Sequence, residues 1–386
     1  MAKTKPSDRS RKSKNPKGSN RNGTSKKSAP SPEALLTEAV ALLQTSQPED
    51  ALVLAQRALS LLQKTSEPNL AILPALNILG EIHVELGDPE VARENFLTAV
   101  SLDPEGKEGD AAEKFLWLAQ LCEEGGSESV KWFAKGIDVL KREIAELESK
   151  GNRPAVAEAI AEKKQRIASA LCGIAEVYMT DLSWEEDAEA RCEAAVTEAL
   201  LVAPNSPETL QTLASIRISQ IRIDDARAAL SRSIDLWKDL DPADPNVPAF
   251  PTKISLSRLL MEAEMEEDAI EVLETLIGEN DTSVEAWYLG GWCLHLLSEK
   301  QNATEEKSAK SAVSLKRASR DWLQNCLKLY GMLEYEDERL KEHAEELLTE
   351  LNNTLGPAKE GEDEEWDDTD GESDEGEDED EEMDGT

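Results

Sequence analysis

Residues 76–104 read LNILGEIHVELGDPEVARENFLTAVSLDP, and the spacing of their small and apolar side chains decides the fold. Leu76, Leu79, Gly80 and His83 recur at three- and four-residue intervals, which places them on one face of a helix. Ala92, Phe96 and Ala99 do the same on a second helix, and Pro104 closes the unit. The small residues let the two helices pack closely as an antiparallel pair. One such pair cannot bury its apolar face alone, so the pattern requires stacked neighbours.

The same grammar recurs on both sides of that stretch. Before it stand Leu35, Ala39 and Leu42, then Ala51, Ala55 and Ala58. After it, Phe115, Leu118 and Ala119 face Ser129, Phe133 and Gly136, with a shortened turn and a second helix running to about Lys150. A fourth pair sets Leu171, Ile174, Ala175 and Tyr178 before a lengthened turn with Trp184, then Cys192, Val196, Ala199 and Pro204. Leu210, Leu213 and Ala214 with Ala226, Leu230 and Ser233 make a fifth, followed by a Pro-rich loop from Asp241 to Pro251. Leu256, Leu260, Ala269, Leu273 and Leu276 make a sixth. A seventh opens with Trp287, Gly290, Gly291 and Leu294, and its second helix, with Ala318 and Trp322, follows a polar insertion around Glu299 to Lys310. Residues 334–355 then form a charged amphipathic helix suited to capping the array.

A period of about 34 residues with these small and aromatic positions is that of the tetratricopeptide repeat. The expected fold class is therefore all-α, a superhelical tetratricopeptide-repeat (TPR) solenoid of about seven helix pairs plus a capping helix. It spans residues 32–355, between a disordered basic tail at 1–31 and a disordered acidic tail at 356–386.

Charge narrows the partners. The 386 residues hold 42 Lys/Arg and 80 Asp/Glu, a net charge of -38. Residues 1–28 carry ten bases against Asp8 alone, residues 360–386 carry eighteen acids and no base, and the repeats keep 61 acids and 32 bases. Phosphate would be repelled, so no direct nucleic acid ligand is expected, and a basic partner is. The stretch RSRKSKNPK at Arg9–Lys17 has the composition of a nuclear-import signal or of a solvated tail. The chain shows no apolar segment of secretory or membrane-spanning length, so a soluble intracellular protein with no membrane partner is expected. Cys122, Cys172, Cys192, Cys293 and Cys326 are odd in number, far apart and inside helical patterns, which favours buried thiols over disulfides or zinc.

No catalytic signature stands out: phosphate loops, His-Glu-x-x-His pairs and nucleophile elbows are all missing, and His83, His295 and His343 are far apart. The chain reads as no enzyme, with no cofactor and no metal. What remains is the inner face, which in this architecture is lined by the first helix of each pair. It would hold Glu81, Val84 and Glu85, then Gln120, Glu123 and Glu124, then Glu176, Met179 and Asp181, then Met261, Glu262 and Glu264. Tyr288 and Trp292, four residues apart, add aromatic surface of the kind that stacks on Arg, or else belong to the core. Many such repeats grip a C-terminal carboxylate of heat-shock chaperones with Lys, Asn and Arg. The equivalent positions here are Leu36 and Val40, Asn77 and Glu81, Glu113 and Trp117, and the acids among them would repel one.

The leader MAKTKPSDRSRKSKNPKGSN, the repeats and the tail EDEEWDDTDGESDEGEDEDEEMDGT together resemble the fungal assembly chaperones of large-subunit ribosomal protein L-four. The resemblance covers the whole chain. It implies a non-enzymatic, monomeric chaperone that takes one newly made basic ribosomal protein, shields its extended rRNA-binding loop and escorts it from cytoplasm to nuclear pre-ribosomes. Two other classes fit the composition: a TPR-type histone chaperone, which would carry its acidic run within a repeat, and a TPR scaffold or adaptor, which would have several comparable partners.

Overall fold

The computed structural model of the protein describes residues 30–63, 70–108, 111–123, 125–151, 153–302 and 309–356. Both charged tails read from the sequence thus lie almost wholly outside the described residues. Among the described residues the chain forms fifteen α-helices and no strand. They pair as α1 Pro32–Gln44 with α2 Pro48–Leu62, α3 Leu73–Glu85 with α4 Pro89–Leu102, α5 Glu113–Gln120 with α6 Gly126–Ser149, and α7 Pro154–Met179 with α8 Ala188–Val202. Then come α9 Pro207–Ser219 with α10 Ile223–Asp235, α11 Phe250–Glu262 with α12 Glu266–Glu279, α13 Val284–Asn302 with α14 Ala309–Met332, and the single α15 Glu338–Leu355. The chain divides between residues 109 and 110 into two compact units, the first holding α1–α4 and the second α5–α15.

Local chemistry fixes the helix ends. Pro32, Pro48, Pro89, Pro154 and Pro207 open α1, α2, α4, α7 and α9, where a missing backbone N–H costs nothing. Ser31, Ser206 and Asp337 accept hydrogen bonds from the backbone N–H groups of Ala34, Thr209 and Leu340 at 3.3, 3.3 and 3.0 Å. Inside four pairs the first helix ends on a left-handed residue: Ser46, Gly87, Ile221 and Glu264, with φ of 54, 77, 61 and 58°. The next residue reaches back five positions, Gln47 to Leu42, Asp88 to His83, Arg222 to Arg217 and Met265 to Leu260, at 3.0, 2.8, 2.8 and 2.8 Å. This hydrogen-bond pattern makes the tight reversal that returns the second helix against the first.

Only Gly87 adopts that conformation without a Cβ penalty; for a β-branched residue the left-handed region costs about 1–2 kcal/mol. Ile221 is 86% exposed, so its side chain contributes little burial in return. Ile221→Gly is therefore expected to stabilise the chain by about 0.5–1 kcal/mol after the extra freedom of glycine in the unfolded state is subtracted. Urea unfolding measures it, and a loss of stability would show that the exposed isoleucine is held by contacts.

Between the helices, small residues receive large ones. The ring of Phe96 sits where a Cβ on Gly80 would project, Phe133 does the same over Gly173, and Trp322 over Gly290. In the first unit Leu35, Ala39, Ala51, Ala55, Ala58, Leu79 and Ile82 form one buried cluster. In the second, the largest cluster joins α9 to α13 through Leu230, Leu256, Leu260, Leu273, Leu276 and Leu289. There the first helices α7, α9, α11 and α13 lie side by side, with α15 following α13.

Four details differ from the sequence reading. The polar stretch Glu299 to Lys310 is helical at both of its described ends, since α13 continues to Asn302 and α14 begins at Ala309; residues 303–308 lie outside the described ones. The Pro-rich loop is shorter than read, since Pro251 occupies the first turn of α11, and α7 starts at Pro154, well before its repeat positions. The capping helix begins at Glu338, behind the Asp337 cap.

Of the cysteines, Cys172, Cys192, Cys293 and Cys326 are buried, Cys122 is half-buried, and all five are free. Burial pushes Cys172 up to about 11 and Cys293 and Cys326 up to about 12, so they are protonated packing groups at neutral pH. Among the described residues no helix is long and apolar enough to cross a membrane.

Candidate functional site

In the second unit the inner wall carries two cavities of different character. The first, about 400 Å³, lies where α5, α6, α7 and α9 meet. Leu116, Trp117, Phe133 and Gly173 give it an apolar floor, and Glu113, Gln120, Arg166, Glu176 and Glu208 line it with polar groups. Arg166 is taken by an ion pair with Glu113. Ser169 Oγ donates to Glu208 Oε2 at 2.6 Å. Among the described residues neither Glu176 nor Glu208 has a cation within ion-pair distance. The consequence is electrostatic: partial desolvation by the cavity wall, and then the charge of Glu208, raise the pKa of Glu176.

A carboxyl whose pKa is raised on folding contributes its stability at low pH and loses it as pH rises through the raised value. Glu176→Gln is therefore expected to leave the folded chain at least as stable as before at pH 7, with the advantage vanishing below the ordinary carboxylate range. Urea unfolding at pH 4 and pH 7 checks the sign; a variant less stable at pH 7 would mean that Glu176 has a compensating partner.

The second cavity, about 550 Å³, is built by α11, α13 and the start of α15. Met261, Tyr288, Leu289, Trp292, Leu296 and Leu340 make it mostly apolar, rimmed by Arg258, Glu262, Asp337 and Arg339. Tyr288 and Trp292 are half-buried with ring centroids 6.0 Å apart. Tyr288 Oη lies 2.7 Å from His343 Nδ1, and the His343 ring meets the Trp292 ring edge-on at 5.1 Å. Burial raises the pKa of Tyr288, so its phenol stays neutral and hydrogen-bonding. The two aromatics thus belong both to the core and to an accessible surface, since both pack against buried residues and both line the cavity.

The structure distributes the residues read from the sequence unevenly. Gln120 and Glu176 share the first cavity; Met261, Glu262, Tyr288 and Trp292 share the second. On α3 of the first unit Glu81 and Val84 are half-buried and Glu85 is exposed. Glu123 is exposed in the turn after α5, and Glu124 lies outside the described residues. Met179 packs into the cluster between α7 and α8. Two acids sit in turns instead of on the wall: Asp181 accepts from the Gly126 N–H at 2.9 Å at the start of α6, and Glu264 occupies the left-handed turn after α11, 3.2 Å from Arg227. Both sit just beyond the last turn of a first helix, where the chain leaves the inner face. Sequence reasoning missed Glu208, Arg258, Asp337 and Arg339. Glu208 follows the Ser206 cap and repeats the position of Glu113 at the start of its helix, a signal that was present.

Comparison with known proteins converges on one group. The tetratricopeptide-repeat family model matches residues 73–105, the stretch that carries the pattern first read from the sequence. A protein of Emericella nidulans named a probable assembly chaperone of rpl4 is 52% identical over 341 residues, covering 85% of this chain and 83% of that one. Its namesake in Schizosaccharomyces pombe is 34% identical, covering 87% and 96%. The solved structure of an assembly chaperone of RpL4 (Acl4, residues 1–338) aligns with a TM-score of 0.63 and 48% identity over 71% of this chain and 99% of that one. The fold is therefore that of a non-enzymatic helical TPR solenoid, and the chain belongs to the family of assembly chaperones of rpl4.

Proposed function

We propose that this protein captures newly made ribosomal protein L-four, the rpl4 of its relatives' names, and shields the extended basic loop of that client on its inner face until the loop meets rRNA. The observation that carries this reading is the pair Glu176 and Glu208, which share a cavity whose one lining cation, Arg166, is paired with Glu113, so that burial and the charge of Glu208 raise the cost of charging Glu176. A Lys or Arg side chain entering from a client would remove that cost, and the apolar floor beside it would take the aliphatic stem. The second cavity would receive an apolar or guanidinium-bearing side chain against Tyr288 and Trp292. Glu81 and Glu85 extend acidic character to the first unit. The net charge of -38 supports a cationic client and disfavours RNA as a direct ligand.

In this reading the protein acts as a monomer in a one-to-one complex and works in both cytoplasm and nucleus, with the basic leader serving import and the acidic run after Glu360 competing with stray RNA for the client. Affinity purification from cells followed by mass spectrometry, and titration of the purified protein with the client's loop, test it together. Ribosomal protein L-four is expected as the dominant partner, with affinity falling steadily between low and physiological salt. Histones in its place would establish the histone-chaperone class, and several partners at comparable yield the scaffold class.

A further inference from the structure

Away from both cavities, one cluster joins a buried imidazole to two carboxylates. His295 and Glu299 stand one turn apart on α13, with His295 Nε2 3.8 Å from Glu299 Oε1. Glu350 comes from the C-terminal half of α15, and donor atoms of the three residues all lie within 4.8 Å of one another. The His295 side chain is only 7% exposed. Among the described residues neither ring nitrogen has a hydrogen-bond partner: Nδ1 is buried alone, and Nε2 is too far from Glu299 for a bond. The unpaired Nε2 edge of this buried ring therefore faces the carboxylates with room for an ion that all three groups could share.

The geometry points to a divalent metal site, formed by His295 Nε2, Glu299 and Glu350, that takes a zinc-class ion and keeps a further position for water. One imidazole with two carboxylates suits Zn²⁺, whereas Mg²⁺ and Ca²⁺ favour oxygen alone. Ligand atoms around Zn²⁺ stand roughly 3.4 Å apart, so the present spread must contract by about an ångström. Both glutamates are exposed and long, and rotation of their side chains supplies that movement while the buried ring stays fixed. The ion would tie α15 to α13. Since Asp337, Arg339 and Leu340 of α15 form one side of the second cavity, the same tie would hold that wall in place.

The acidic run near the C-terminus would also collect cations, so the test must read the imidazole. The full-length chain, freed of metal with a chelator and labelled with ¹⁵N, is titrated with ZnCl₂ while the ring nitrogens of its three histidines are followed. At one equivalent the signals of His295 alone are expected to move, assigned by their loss in His295→Gln, and to return on chelation. Glu350→Gln, at an exposed position where circular dichroism confirms the fold, should weaken this binding at least about tenfold, since even groups one step removed from a metal have effects of that size. Zinc uptake that leaves every histidine signal in place, or a His295 response unchanged in Glu350→Gln, would overturn the assignment. A His295 signal that follows pH but ignores zinc would also overturn it, leaving the cluster as a proton site.

Discussion

Reversing Glu176 and Glu208 to lysine is expected to weaken client binding by at least about thirtyfold, about 2–5 kcal/mol, while the helical circular dichroism and unfolding midpoint stay close to those of the wild type. The magnitude follows from replacing an attraction by a repulsion inside a partly desolvated cavity, where charges are screened less than on open surface. The two acids are the right pair because they share one cavity and the charge of Glu208 adds to the cost of ionising the partly buried Glu176. Exposed Glu85 and Glu123, by contrast, act through long-range complementarity, so their reversal should lower the association rate and change the salt dependence more than the dissociation rate. Surface plasmon resonance at two salt concentrations separates these effects. Unchanged dissociation in the double reversal, with the fold intact, would move the client to another surface and remove the main support for the acidic inner face.

Phe96→Ala should cost about 3–5 kcal/mol of stability, the range for deleting a buried aromatic that leaves a cavity. Phe96 is fully buried, and its ring fills the space that Gly80 leaves open on the facing helix. Neither partner can compensate: the backbone of α3 is already in contact with the ring, and alanine reaches only the first carbon of the lost volume. Thermal or urea unfolding measures the loss, and limited proteolysis should locate it in α3 and α4. A cost below about 1 kcal/mol would mean that the helices collapse onto the gap, and that the small-large match is not what sets their spacing.

The pairing of helices was legible because each rule behind it is local. Small residues at Gly80 and Ala92 with an aromatic at Phe96, repeated at a fixed period, specify which faces meet without knowledge of any distant residue. Acidic character and the missing catalytic motifs follow equally from composition. The sequence alone therefore determined the fold class and the order of the repeats, and its acidity is what led to the expectation of a basic partner. It misjudged Asp181 and Glu264 because both stand near the end of a first helix, and a shift of one or two residues there moves a side chain from the inner wall into a turn. It passed over Glu208 although its place at the start of α9 repeats that of Glu113, because that local position does not tell that it shares a cavity with a carboxylate 32 residues earlier.

What only the tertiary structure decided are the meetings between helices of different pairs. Glu176 on α7 and Glu208 on α9, Tyr288 on α13 and His343 on α15, and His295 on α13 with Glu350 on α15 each come from separate turns of the solenoid. The helical period fixes the face on which a residue lies. Its neighbour across the groove depends on the twist between successive pairs, and that twist is set by how side chains such as Phe133 on Gly173 and Trp322 on Gly290 interlock. That interlocking is a sum of close contacts between distant segments, so charge pairs, cavities and candidate ligand sets come into existence only when the stack is complete.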